Sequence, residues 1–161
     1  MLGLFRKSML LPASQLFNER TFYSAFEKDL AHCQYEAIIE SPFLTVRRVN
    51  LLLPTLKRLK RRGVKIVVNT RDPREQEGRM ADEAVQAINI LQEVDIEVLF
   101  TGGHHRKLAI FDRKVLWEGS LNILSQNDSC EIMRRIDSKE LAQQMVDFTN
   151  LNKFLDNARR A

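Results

Sequence analysis

Along most of the 161-residue chain, apolar positions recur every three to four residues, then every two, then every three to four again. Over residues 21–31, Phe22, Phe26 and Leu30 stand four apart, which places them on one face of a helix. Residues 35–40 are short, β-prone and closed by Ser41-Pro42, the pattern of a strand. Helical spacing returns over residues 45–62 through Val46, Val49, Leu53, Leu56 and Leu59. Pro54 is expected to kink that helix or open its second half, because proline lacks a backbone donor and clashes with the preceding turn. Gly63 is expected to stop it.

A second strand, rich in β-branched residues, is expected over residues 64–69, followed by a charge-dense loop over residues 70–79. Ala81, Ala84, Val85, Ile88 and Leu91 then mark another amphipathic helix, and residues 96–100 a third strand. Strand-like runs follow at 107–112, 114–118 and 130–136, and a closing helix starts near Ser138. Helices and strands alternating at short intervals predict an α/β fold: a mixed, largely parallel central sheet sandwiched by helices. With no internal repeat and no linker, residues 1–161 read as one domain, and residues 1–20 as a less ordered N-terminal extension.

Composition removes whole classes of function. At 44% hydrophobic residues, with 25 Lys+Arg against 21 Asp+Glu, the chain is too apolar and too balanced to be disordered. Six glycines and four prolines exclude a collagen-like sequence. Cys33 and Cys130 are too few and too far apart for a disulfide framework or a Cys-x-x-Cys zinc site. No apolar run approaches the roughly 20 residues of a membrane span. The first residues carry Arg6 and Lys7 where a signal peptide needs its apolar centre. A soluble, cytoplasmic protein is expected.

The net charge of +4 conceals a segregation of sign. Eight basic residues (Arg47, Arg48, Lys57, Arg58, Lys60, Arg61, Arg62 and Lys65) occur between 47 and 65 with no acid among them. Asp72, Glu75, Glu77, Asp82, Glu83, Glu93, Asp95 and Glu97 follow. The basic run is either a solvated helix face or a surface that tracks phosphates, and in the second case Arg47, Arg48, Arg58, Arg61 and Arg62 are candidate substrate-binding residues.

The densest chemistry lies between residues 102 and 131. On an extended backbone, His105 and Lys107 share one face while Arg106 and Leu108 take the other. A tight turn at Asp112-Arg113 would return the chain so that Gly119-Ser120-Leu121-Asn122 reaches the sheet edge where His105 stands. Imidazole, ammonium, hydroxyl and carboxamide in one place suit an anionic, tetrahedral group such as a phosphoryl. A metal site on His104, His105 and Asp112 is disfavoured, since adjacent residues of a strand face apart and Lys107 would repel a cation.

His105-x-Lys107-x4-Asp112 followed by Gly119-Ser120-x-Asn122 resembles the HxKx4D and GSxN signatures of the phospholipase D superfamily, in the form carrying one motif per chain. The similarity extends upstream to Glu40-Ser41-Pro42-Phe43 and to the basic helix entering residues 62–66. It implies an α-β-α sandwich and a phosphodiesterase that needs no metal or other cofactor and forms a covalent phosphohistidine. It also implies roles: His105 as nucleophile, Lys107 and Asn122 with Ser120 on the non-bridging oxygens, Asp112 fixing the turn, and Glu131 orienting His105. In the family it resembles, a second histidine protonates the leaving oxygen, and the chain has only His32, His104 and His105. A homodimer sharing one composite site is therefore expected. A nuclease acting on DNA or RNA is the first expectation. The alternatives are a phospholipid hydrolase or transphosphatidylase, and a nucleic-acid-binding or dimerisation module of a larger enzyme.

Overall fold

The computed structural model describes residues 13–125 and 129–152. In chain order the elements are β1 (Ala13–Asn18), α1 (Phe22–His32), β2 (Glu36–Glu40), α2 (Val46–Arg61), β3 (Lys65–Thr70), a single 3₁₀ turn (Pro73–Glu75), α3 (Gly78–Gln92), β4 (Glu97–Phe100), β5 (Leu108–Phe111), β6 (Val115–Gly119), β7 (Ile132–Asp137) and α4 (Lys139–Phe148). The strands form one sheet in the order β1-β7-β6-β5-β2-β3-β4.

The sheet is mixed, but less parallel than expected. Only β2 with β3 and β3 with β4 run parallel, each joined by a helix that crosses back over the sheet. The other four pairings are antiparallel. One of these, β5 with β6, is set by Asp112 and Arg113, whose φ values of +52° and +50° make a two-residue hairpin turn, a connection that can join only antiparallel strands. A further difference concerns the segment read as an extension. Residues 1–12 lie outside the described residues, but 13–18 form edge strand β1, in register with β7 from Ala13 opposite Asp137 to Asn18 opposite Ile132.

Alternation along the central strands builds two cores. Ala37 and Ile39, Ile66 and Val68, and Ala109 and Phe111 point to the face covered by α1, α2 and α3; Ile38, Val67, Leu108 and Ile110 point to the face covered by α4. The helices meet the sheet through the spacings seen in the sequence: Phe22, Phe26 and Leu30 on α1; Ala84, Ala87, Ile88 and Leu91 on α3. On α2, Thr45 caps the first turn by accepting the Arg48 amide, and Gly63 (φ +80°) follows the last. Pro54 does not open this helix, which runs unbroken from Val46 to Arg61. Asn50 and Pro54 are both exposed, so the carbonyl that loses its helical partner faces water.

Two ends of the sheet follow from this topology. At one, β2, β3 and β6 finish and β5 begins, with Leu108 opposite both Glu40 and Glu118. At the other lies the Asp112 turn. There the Asp112 carboxylate accepts the backbone amides of Gln34, Tyr35 and Glu36 at 2.8, 2.7 and 3.0 Å, and the Cys33 thiol at 3.2 Å. Burial pushes the Cys33 thiol up to about 12, and its bond to Asp112 pushes the same way, so it is an inert core thiol.

Candidate active site

The two motif segments are brought together by the β5–β6 hairpin. The Gly119 amide donates to the Lys107 carbonyl at 3.2 Å, joining the end of the histidine loop to the start of the Gly-Ser loop. Gly119 is glycine for want of room: a Cβ there would stand 2.1 Å from the Ile132 carbonyl oxygen. Ser120 follows and is held by β7, its amide donating to the Ile132 carbonyl (2.9 Å) and its oxygen accepting the Ile132 amide (3.0 Å). The loop then packs on the start of α2, where the Leu124 amide donates to Ser41 Oγ (3.1 Å) and the Leu124 carbonyl accepts the Thr45 amide (2.8 Å). Asn122 lies within this braced loop, its carbonyl accepting the Tyr23 hydroxyl at 3.4 Å. Its side-chain Oδ1 is buried and has no hydrogen-bond partner among the described residues.

The histidine loop is irregular backbone, since β5 begins only at Leu108 and not at Lys107 as expected. Side-chain anchors hold it instead. Arg106 clamps the carboxylate of Glu40 with Nε at 2.6 Å and a terminal nitrogen at 2.7 Å. Glu40 is fully buried and also accepts Asn69 Nδ2 at 2.7 Å, while Asn69 Oδ1 accepts the Thr101 hydroxyl at 3.0 Å. A buried carboxylate is tolerated only with such partners. On the outer side, Glu75 Oε2 accepts both the Gly103 amide and Arg71 Nε at 2.9 Å. The Gly103 amide, then the Arg71 guanidinium, hold the Glu75 carboxyl below its ordinary value.

The two histidines part as an extended backbone requires. His104 is buried, 3% exposed; burial pulls its pKa down against the opposing field of Glu40, so the ring is neutral near pH 7. His105 is exposed, with the Phe43 ring edge-on at 6.4 Å between centroids and a terminal nitrogen of Arg71 3.5 Å from Nε2. The Lys107 ammonium donates to the His105 carbonyl at 2.7 Å.

His105, Lys107, Ser120 and Asn122 thus gather at one end of the sheet, with Glu131 beside Ser120, while Asp112 and much of the basic run lie elsewhere. Asp112 lies at the opposite end of β5, about 10 Å along the strand, and fastens the turn to β2. Glu131 gives its carboxylate to the Ser120 and Ser129 hydroxyls and makes no bond to His105 among the described contacts. The basic run splits because α2 begins at the His105 end of the sheet and finishes about 24 Å away. Arg47 is exposed near its start, whereas Arg48 is buried over the Tyr23 ring at 3.4 Å. Arg58, Arg61 and Arg62 lie at the far end, where Arg58 bonds Thr55 and Arg62 ties the carbonyls of Ala31 and Cys33. Arg71, Glu75 and Arg106 were not singled out from sequence, and Glu40 entered only within the Glu40-Ser41-Pro42-Phe43 similarity, with no role attached.

An open groove of about 590 Å³ adjoins Lys107 and Ser120, with Leu16, Leu108, Ile132 and Phe148 among its apolar walls. Among the described residues no helix is long and apolar enough to cross a membrane.

The profile of the family described as "Cardiolipin synthase, PLD-like domain" matches residues 26–151. A search of curated proteins with the sequence matches none. Among solved structures, the phospholipase D family member Nuc from Salmonella typhimurium is similar, with a TM-score of 0.69 at 18% identity over 86% of this chain and 91% of that one. A phosphatidylserine synthase from Haemophilus influenzae is similar at a TM-score of 0.68 and 14% identity, over 87% of this chain and 38% of that one. TrmBL2, an archaeal chromatin protein described as binding DNA in a novel mode, gives a TM-score of 0.58 at 12% identity, over 94% and 55%. Identities this low establish a shared fold alone.

Proposed function

The chain belongs to the family described as cardiolipin synthase, PLD-like domain, and from that premise we propose that it is a metal-independent phosphodiesterase that cleaves nucleic acid through a phosphohistidine, in a site shared by two copies. The observation that carries the reading is the Gly119–Lys107 bond, which joins the His-x-Lys and Gly-Ser-x-Asn segments at one sheet end. In the first step a ring nitrogen of His105 attacks phosphorus, a P–N bond forms, and the P–O bond to the leaving oxygen breaks. Lys107 and the Asn122 amide hold the non-bridging oxygens, where charge gathers in the transition state. Ser120, itself positioned by Glu131, completes that grip. A protonated histidine gives its proton to the leaving oxygen; in the second step the same histidine takes a proton from water as water attacks phosphorus and the P–N bond breaks.

The second copy follows from the placement of the remaining histidines. His104 is buried. His32 ends α1, where its Nδ1 lies 2.6 Å from the Lys28 carbonyl and its neighbour Cys33 bonds Asp112 at the opposite end of β5. His105 of a second chain, across a twofold axis, is the remaining candidate for the proton donor.

Nucleic acid is favoured by the charge-dense segment over residues 71–79, which reaches His105 through Arg71. Such a segment is poorly suited to insertion among lipid tails. The apolar groove beside Lys107 supports a second reading, in which it receives an acyl chain of a phospholipid.

Incubation with labelled single- and double-stranded DNA, RNA and phospholipid vesicles in EDTA separates the readings. Cleavage of nucleic acid that persists in chelator and falls by roughly 10³-fold or more in His105→Ala is the expected result. Loss on chelation would overturn the metal-independent mechanism. Turnover of vesicles alone would assign the lipid substrate, and no turnover by an intact protein that retains nucleic acid would assign a binding module.

A further inference from the structure

Arg71 follows β3 directly, two residues beyond the Asn69 that bonds buried Glu40. Its Nε is committed to Glu75, and a terminal nitrogen lies 3.5 Å from His105 Nε2. Glu75 accepts the Gly103 amide through the same oxygen, so Arg71 and the histidine loop share one anchor. The fit is close: a Cβ at Gly102 would come within 3.2 Å of Glu75 Oε1, and Gly103 adopts φ +61°. The Arg71 side chain is 25% exposed, well below the level of a loose surface cation.

An Arg–Glu pair four residues apart is ordinarily a surface pair that contributes little. Two things set this one apart. Its carboxylate also secures a different segment, and its free guanidinium edge faces an exposed imidazole instead of water alone. Guanidinium stays charged at every relevant pH and presents a planar fork that fits two phosphate oxygens.

We propose that Arg71, immobilised by Glu75, is a phosphate-binding residue of this site, taking a non-bridging oxygen of the group that His105 attacks. The proposal rests on the phosphodiesterase reading and adds a residue to it. Reacting atoms in a bound substrate start about 3–3.5 Å apart. A phosphorus placed that close to Nε2 brings its oxygens within reach of a guanidinium already beside that nitrogen. Arg71 then approaches from the β3 side, while Lys107 and Asn122 come from the β5–β6 side. The phosphoryl would be gripped from two directions, and the contact between Arg71 and His105 would give way to one between Arg71 and substrate.

The test uses the full chain as wild type, Arg71→Ala, Arg71→Lys, Glu75→Gln and His105→Ala. Two quantities are read: kcat and KM for nucleic-acid cleavage in EDTA, and the affinity for inorganic phosphate from the shifts of the His105 ring protons by NMR. Arg71→Ala should lose roughly 10²–10³ in kcat/KM, the usual loss for one preorganised oxyanion donor. It should also weaken phosphate binding about tenfold or more, with circular dichroism unchanged. Arg71→Lys should recover part of the phosphate affinity but little of kcat, because ammonium keeps the charge and loses the fork. Glu75→Gln, which frees the guanidinium, should fall between wild type and Arg71→Ala. Phosphate affinity and kcat/KM equal to wild type in Arg71→Ala would overturn the proposal; if that variant does not fold, the same equality in Arg71→Lys overturns it. Failure of the underlying reading looks different: wild type and His105→Ala would then be equally inactive, while the phosphate titration would still report on Arg71.

Discussion

At Gly119 a single hydrogen atom separates a working turn from a collision. Gly119→Ala would place its Cβ against the Ile132 carbonyl and 2.9 Å from Met133 Cα, both backbone atoms that cannot swing aside. The expected loss is about 3 kcal/mol or more, read as a lowered urea midpoint. Asp112 is the corresponding residue of the other sheet end. Burial raises its carboxyl, but the amides of Glu36, Gln34 and Tyr35 outweigh burial and hold it below the ordinary value. Its stabilisation is therefore fully present above about pH 4, the ordinary carboxylate value, and is lost as pH falls through the depressed folded value. Asp112→Ala should cost about 2–4 kcal/mol at neutral pH through the amides it orphans, and should flatten the acid limb of a stability–pH curve. For His104 the sign follows from the opposite charge. Its folded pKa is lowered by burial, so the unfolded chain takes up the proton first, and stability falls as pH drops below about 6.5 until the folded value is reached. Urea titrations at pH 7.5 and 5.5 should show that drop, and His104→Asn should reduce it.

The helices illustrate what periodicity reveals and what it hides. Phe22, Phe26 and Leu30 announced their helix because the face they share is the face they bury. Strand β1 gave no such signal: it is an edge strand, exposed at nearly every position, and nothing in Ala13-Ser14-Gln15-Leu16-Phe17-Asn18 alternates. The motif residues were legible because His105, Lys107, Ser120 and Asn122 sit close in sequence on either side of one hairpin. Arg106 with Glu40, 66 residues apart, and Arg71 with His105, 34 apart, depend on which strands become neighbours, and local pattern carries no information on that. The basic helix spreads its charge for a related reason: a run in sequence along a helix is a line in space, and α2 leads away from His105. Charge reversal at Arg61 should accordingly leave nucleic-acid cleavage and its salt dependence unchanged. A marked loss of affinity at low salt would make α2 a phosphate-tracking surface. Pro54 offers an element-level test of stability. Proline is about 3 kcal/mol less favourable than alanine inside a helix, so Pro54→Ala should stabilise the protein, by an amount reduced because proline also restrains the unfolded chain.

For the whole molecule, the proposed shared site makes activity a property of pairs. In an equal mixture of wild type and His105→Ala, allowed to exchange, the activity per total chain should be about a quarter of the wild-type value and not half, because only pairs with two intact histidines react. A linear decline with the mutant fraction would show a site complete within one chain. Activity per chain should also fall on dilution below the dissociation constant of the pair, checked by sedimentation at the same concentrations.

The pairing of β1 with β7 sets Ala13 against Asp137, positions near opposite ends of the described chain. The sheet therefore cannot be finished in the order in which it is made. As the chain leaves the ribosome, β1 emerges before the other strands of this sheet and has no partner until more than a hundred further residues follow, while the helix-linked strands β2, β3 and β4 can already assemble. Joining such distant segments carries the largest loop-closure entropy in the fold, which places this step late and makes folding slow for a chain of this size. Until it occurs, β7 presents an open edge to any other strand, including that of another copy. The earliest strand of this sheet thus acts as the clasp that covers the edge of β7.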